Sequence, residues 1–439
     1  MRYRILLTMA ICIACQLFPA FSQTTFSSFE SFLAYAEEKS IALKSEEIAI
    51  TEAKKQKLTG ILGILDPRGG GRLSYVNNTR LPVTLVPSEL VGGQSGSFEN
   101  VQFGLQYETQ FAAEIDIKLL NLAGWSEMSL TKIRIDLEEN NKQISRKELF
   151  DHAATLYYQI LSLQAQELSA QTNLEKADSI RQSVILRLEK GLASQQEVNE
   201  AEVNYLKLAQ SETDISYLTD LQYKALKILC DIPEKENIQI LPGKRSMKDV
   251  KQADILSNEL QIKQAFLNEQ YARIQLRKSK LEFAPTLSFL GFHSQQQFND
   301  RGRLFDSSVD WIPSTYIGLR LNIPLPGSRQ IASNISAKYD FLLAQESRKQ
   351  AVIQSANEKE KLATTHMRAS AKEASMRAIY QLKKDTYEKN YLSYQQGVMD
   401  LTQTLNSFQD MVNAEYSWIG ARLEVEEAKM KIQINNTIR

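Results

Sequence analysis

Ile317-Gly318-Leu319-Arg320-Leu321-Asn322-Ile323 alternates apolar residues with glycine, a charge or an amide at every step, and Val101-Gln102-Phe103-Gly104-Leu105-Gln106-Tyr107-Glu108 does the same in the first half of the chain. A period of two belongs to β-strands, whose successive side chains point to opposite faces. Both stretches are read as strands with one greasy and one wet face. Val101, Phe103, Leu105, Tyr107, Ile317, Leu319 and Leu321 fall on the first; Gln102, Gln106, Glu108, Arg320 and Asn322 fall on the second. Across a polar loop each has a less regular partner, Arg72–Asn77 in the first half and Pro285–Phe292 in the second. The latter loses its alternation near Phe289-Leu290, which is read as a bulge.

A greasy sheet face needs a cover, and two covers are open. In a soluble sandwich it would be a second sheet, but no further strands are evident. In an outer-membrane barrel it would be lipid, with the wet face lining a lumen. The smallest such barrels use about eight strands, and an open sheet edge is not viable in lipid, so four strands require several copies of the chain to share one barrel. Geometry alone does not select two, three or four copies. The loops Leu81–Ser97 and Asn299–Pro313 would lie outside the cell, with Tyr107, Trp311 and Tyr316 as interface anchors.

Glycine and proline cluster from Gly60 to Gly104 and from Pro285 to Gly327; Phe111–Lys190 has the single glycine Gly124 and no proline, and Ser328–Gln396 has neither. Rich in Ala, Leu, Glu, Gln, Lys and Arg, these quiet stretches are read as helices reaching roughly 100 Å at 1.5 Å per residue. Each ends at a glycine followed by polar or acidic residues, Lys190-Gly191-Leu192-Ala193-Ser194 and Gln396-Gly397-Val398-Met399-Asp400, after which helical sequence returns. These are hairpin tips. Val198, Ala201, Tyr205 and Leu208, and then Leu401, Leu405, Phe408 and Val412, follow the three-four spacing of a coiled-coil seam. Shorter leading helices are expected from about Ser28 to Leu58 and from about Ala253 to Glu282.

Gly191 and Gly397 are 206 residues apart with the same order of elements around each, so the chain is an internal duplication. The expected division is a signal peptide at 1–22; a first structural repeat at 23–230, with strands at about 71–80 and 98–111 and a tip at about 188–195; a linker at 231–251; and a second repeat at 252–439, with strands at about 284–298 and 313–324 and a tip at about 394–401.

The signal rests on Arg2 and Arg4, an apolar run from Ile5 to about Phe18, and the small-residue site Ala20-Phe21-Ser22. An uncleaved anchor and lipidation at Cys15 are the alternatives. Cleavage at Ser22 leaves Cys230 as the sole cysteine, which excludes an intrachain disulfide. Fifty-two Lys and Arg balance 52 Asp and Glu with no run of one sign, so the electrostatic footprint of a nucleic-acid binder is missing. His152, His293 and His366 stand apart from any metal-ligand spacing, and Gly69-Gly70-Gly71 lacks the Lys-Ser/Thr of a phosphate loop. No catalytic residue, cofactor or metal is expected; the chain is not read as an enzyme.

In the order and spacing of these elements the mature chain resembles the TolC family of outer-membrane efflux channels. Arg187-Leu-Glu-Lys-Gly-Leu-Ala-Ser194 is similar to the family's first tip and Tyr394-Gln-Gln-Gly-Val398 to its second, while Pro285-Thr-Leu287 and Ile323-Pro-Leu325 resemble the start of its third strand and the end of its fourth. The chain departs from the family where leading helices open on Asn-Pro: it has Ser257-Asn258-Glu259 and nothing comparable near Ser40. The resemblance implies a mainly α fold with a small membrane β part. Two helix-strand-strand-helix repeats would give four strands to a trimeric twelve-stranded barrel above a long periplasmic α-helical barrel. It further implies an outer-membrane channel of a tripartite efflux or secretion system. Partners would be two further copies, lipid, a periplasmic adaptor (membrane fusion) protein and an inner-membrane transporter, with no nucleic acid. Gly191, Leu192, Ser194, Gly397 and Val398 match the family's docking tips. The alternative is a periplasmic coiled-coil adaptor or structural protein without a membrane barrel.

Overall fold

The computed structural model describes residues 24–242 and 255–438. The signal segment expected at 1–22, with Cys15, and the linker beyond Pro242 lie outside the described residues.

The elements are β1 (Thr24–Phe26), α1 (Phe29–Lys39), α2 (Ile41–Leu65), β2 (Arg68–Asn77), β3 (Val83–Pro87), β4 (Phe98–Gln102), β5 (Tyr107–Leu120), α3 (Leu122–Glu189), α4 (Gln195–Leu229), β6 (Ile238–Ile240), α5 (Glu259–Leu281), β7 (Thr286–Asn299), β8 (Ile312–Asn322), α6 (Ser328–Gln395) and α7 (Leu401–Thr437). The duplication shows in the lengths: α3 and α6 have 68 residues each, α4 and α7 35 and 37. The chain nevertheless divides into two compact units that both draw on both repeats, one made of 1–49, 139–264 and 349–439 and the other of 50–138 and 265–348.

The first unit holds the hairpins, two large apolar cores and a small cluster of Ile255, Ala363 and Ile432. One large core gathers Phe29, Phe32, Tyr157, Leu226, Ile240 and Ile434 around the short parallel pair β1–β6; the other lines the hairpins with Val184, Leu208, Leu401, Phe408 and Val412. Ser28 caps α1, accepting from Ser31 N. Tyr35 Oη donates to the Glu236 carboxylate, which Lys39 also contacts at 3.1 Å, holding that carboxyl below its ordinary range. Burial pushes the Cys230 thiol up to about 12, which keeps it protonated and inert.

The second unit holds one four-stranded antiparallel sheet in the order β2-β5-β7-β8. Its helices approach closely: a Cβ on Gly124 would sit 2.4 Å from the Gly63 carbonyl, so only glycine fits there. Asn121 fastens the same corner, accepting from Gly124 N and donating to the Gly63 carbonyl. Glu269, almost fully buried, takes Arg273 at 2.7 Å and Arg348 at 3.0 Å, and the Arg348 hydrogen bond foremost lowers its carboxyl below the ordinary value.

Four expectations need correction. The unbroken strand expected over Val101–Glu108 is two elements, because Gly104 (φ +105°) turns the chain: Val101 lies in β4, which forms a separate hairpin with β3, Phe103 and Leu105 lie between strands, and only Tyr107 and Glu108 enter the main sheet. The helix expected from Phe111 starts at Leu122, since β5 runs on to Leu120. No glycine or proline marks that strand, and its Ala, Glu and Leu are helix formers, so composition hid it. The bulge expected at Phe289-Leu290 is absent, both residues pairing in register with Ile117 and Asp116; the irregularity lies between Lys118 and Leu120. The first leading helix breaks at Ser40 and then extends to Leu65.

Candidate functional site

Register decides what the main sheet can do. In all three pairings odd-numbered residues oppose odd and even oppose even up to Lys118, so one parity marks one face throughout. The seven Asp, Glu, Lys and Arg residues of the four strands are Arg68, Arg72, Glu108, Glu114, Asp116, Lys118 and Arg320, all of them even. The odd face has none of these residue types. Across its lower half it carries Leu73, Phe111, Ile115, Ile117, Phe289, Ile317, Leu319 and Leu321, and Ile317, Leu319 and Leu321 are 77%, 68% and 61% exposed. On the even face Arg320 reaches Asp116 at 3.5 Å, and at the foot of the sheet Asp66 takes Lys118 at 2.5 Å and Arg68 at 2.8 Å.

At its upper end the odd face turns polar and is covered by the β7–β8 loop. Gln297 donates to the Asp306 and Val309 carbonyls and accepts from Asp306 N, Thr109 donates to the Leu304 carbonyl, and Gln297 and Thr109 are fully buried. The apolar part is therefore a band and not the whole face. Arg320 and Asn322 lie on the even face; Tyr107, Ile317, Leu319 and Leu321 lie on the odd face. Sequence reading missed Ile115 and Ile117 with Glu114, Asp116 and Lys118, although Phe111–Lys118 carries an alternation of its own.

The hairpin tips follow from two glycines. Gly191 and Gly397 adopt φ of +69° and +75°, and each ends its long helix in the same way. Gly191 N donates to Leu188 O and Leu192 N to Arg187 O; Gly397 N donates to Tyr394 O and Val398 N to Ser393 O. That pair of bonds is the Schellman ending, which needs a left-handed residue. The returning helices start at once: Ser194 and Glu197 form a reciprocal capping box, and Asp400 accepts from Gln403 N at 2.7 Å. Leu192 and Val398, at equivalent positions, are 65% and 80% exposed. Arg187 stacks over Tyr394 at 4.7 Å beside a cleft of about 320 Å³, which Ile180, Leu192 and Tyr391 also line. Thus Gly191, Leu192, Ser194, Gly397 and Val398 come together at two capped turns, with apolar side chains presented to solvent.

Among the described residues no group of three or more His, Cys, Asp and Glu is placed to hold a metal ion, and no helix is long and apolar enough to cross a membrane. No family model and no curated protein matches the chain. Solved structures do. The outer membrane protein VceC of Vibrio cholerae matches with a TM-score of 0.74 at 15% identity, over 93% of this chain and 95% of that one. The CmeC outer membrane channel of Campylobacter jejuni matches at 0.68 and 16% identity, over 93% and 85%. The open state of the MtrE outer membrane channel of Neisseria gonorrhoeae matches at 0.69 and 13%, over 93% and 89%. At such identities the likeness speaks for architecture, and the architecture of this chain is that of the TolC-type outer-membrane channels.

Proposed function

We propose that this protein is the outer-membrane channel of a tripartite efflux or secretion system, a passive duct without catalytic chemistry. The observation that carries the reading is the partition of charge in the β2-β5-β7-β8 sheet: all seven charged side chains on one face, an exposed apolar band on the other. Lipid is the medium that tolerates the odd face and rejects the even one, and a lumen is the converse. Four strands with free edges at β2 and β8 cannot close, so copies share the barrel; three copies supply twelve strands and a water-filled bore. The similar folds named as outer membrane channels support the same reading.

The helical hairpins would then extend into the periplasm, where the exposed apolar tips at Leu192 and Val398 meet an adaptor that connects the duct to an inner-membrane pump. Energy would come from the pump. A periplasmic coiled-coil adaptor accounts for the hairpins but leaves the band of Ile317, Leu319 and Leu321 facing water.

The expected outcome is recovery in outer-membrane fractions as oligomers that resist mild heating in detergent, with the deletion strain sensitised to a subset of a panel of toxic compounds, dyes and metals. A soluble periplasmic monomer would overturn the reading.

A further inference from the structure

Lipid would account for the aromatic pair on the odd face of the main sheet, where Tyr75 and Tyr107 stack at 6.0 Å near its upper end. It does not account for the pair on the even face. Phe292 and Tyr316 oppose each other directly across β7 and β8, and their rings stack at 5.0 Å with an interplanar angle of 20°. Tyr316, expected from the sequence to be an interface anchor, therefore sits among the charges and is 54% exposed. An aromatic pair on a wet face is apolar area left open to water, which water itself gives no reason to place there.

Four residues stand side by side across the sheet at this level: Gly70 of β2, Glu114 of β5, Phe292 of β7 and Tyr316 of β8. Directly opposed side chains have Cβ atoms about 4.5–5.5 Å apart, so Glu114 borders the first ring and that ring borders the second. On the other flank a Cβ added to Gly70 would meet nothing within 4 Å, which leaves the wall open beside the carboxylate. The remaining charges of the face mostly neutralise one another. Arg68 and Lys118 meet Asp66, and Arg320 meets Asp116. Among the described residues, Arg72, Glu108 and Glu114 enter no ion pair, which sets two carboxylates against one guanidinium. Glu108 also opposes a ring, that of Phe298, but without a second ring beside it.

We infer that Glu114, Phe292 and Tyr316 form a binding shelf in the lumen wall for organic cations that carry an aromatic ring. The carboxylate supplies the counter-charge, the two rings supply stacking and cation–π contact, and Gly70 leaves room for the body of the molecule. An anion meets the opposite conditions, since both the carboxylate and the negative faces of the rings repel it. Each copy contributes one exposed shelf, so cargo makes several weak contacts on its way out. Weak contact suits a conduit, where release must follow binding. The shelf rests on the reading that the even face lines a lumen, and adds to it a class of cargo.

The test is the current through the purified full-length oligomer in planar lipid bilayers, with benzyltrimethylammonium added on the barrel side. The current should fall. Benzenesulfonate, an anion with the same ring, and tetramethylammonium, a cation without one, should block far less. Glu114→Gln and Phe292→Leu should each raise the half-blocking concentration of benzyltrimethylammonium about threefold to fivefold, the size expected of exposed charge and cation–π contacts. Arg72→Gln, which removes a positive charge diagonal to Glu114, should lower it. The unblocked current of each variant reports that it has assembled. An unchanged half-blocking concentration in Glu114→Gln or Phe292→Leu, or equal blockade by benzenesulfonate, overturns the shelf and leaves the channel reading standing, because the current itself persists. If the wild-type protein carries no current, both fail.

Discussion

Gly191 and Gly397 do the same work at the two tips. Each holds a left-handed backbone with nothing within 4 Å of an added Cβ, so a substitution there meets strain and no clash. Gly191→Val should cost about 1–2 kcal/mol in the turn, and Gly397→Val the same. Thermal unfolding should show a modest loss of stability, while an efflux or susceptibility assay should show a larger defect if the tip geometry is what a partner reads. Glu269 gives a different single-residue expectation. Its folded carboxyl lies below the ordinary value of 4.5, so in acid the unfolded state takes up the proton first. The stabilisation is complete above about pH 4.5 and fades as pH falls through the lower folded value. Between about pH 6 and about pH 3, the unfolding temperature of the wild type should fall further than that of Glu269→Gln; equal falls would remove Glu269 from the acid response.

For the strands, the decisive property is parity. Leu319 and Arg320 are neighbours in β8 on opposite faces, one 68% exposed on the apolar band and the other paired with Asp116. Leu319→Arg puts a charge into lipid at a cost of about 2–4 kcal/mol per subunit if the site is near the bilayer midplane. Outer-membrane assembly should fall sharply, whereas Ser314→Arg, on the even face, should assemble normally. Equal assembly of the two variants would contradict a lipid-facing odd face. Strand β5 shows how a strand can be masked: Phe111–Lys118 alternates, yet it sits in a stretch free of glycine and proline and rich in helix formers, and the more conspicuous pattern at Val101–Glu108 just before it belongs half to another hairpin.

At the scale of the whole molecule, duplication and division do not coincide. The repeats centred on Gly191 and Gly397 each provide two strands of the main sheet and one hairpin, but the compact units collect like with like, the β2-β5-β7-β8 sheet in one and the hairpins in the other. The pattern of capped glycines, long helices and strand pairs was legible from residue types alone, because caps, breakers and periodicity act over a few neighbours. So were both tips, with Ser194 and Asp400 as the caps that restart each hairpin. What only the tertiary structure decided is which strands share a sheet and in what register: that β5 of the first repeat pairs with β7 of the second over their full lengths, that β3 and β4 stand apart, and that every charged strand residue falls on one face. Those are contacts between residues far apart in sequence, and their energies come from packing and pairing across strands rather than from any local preference.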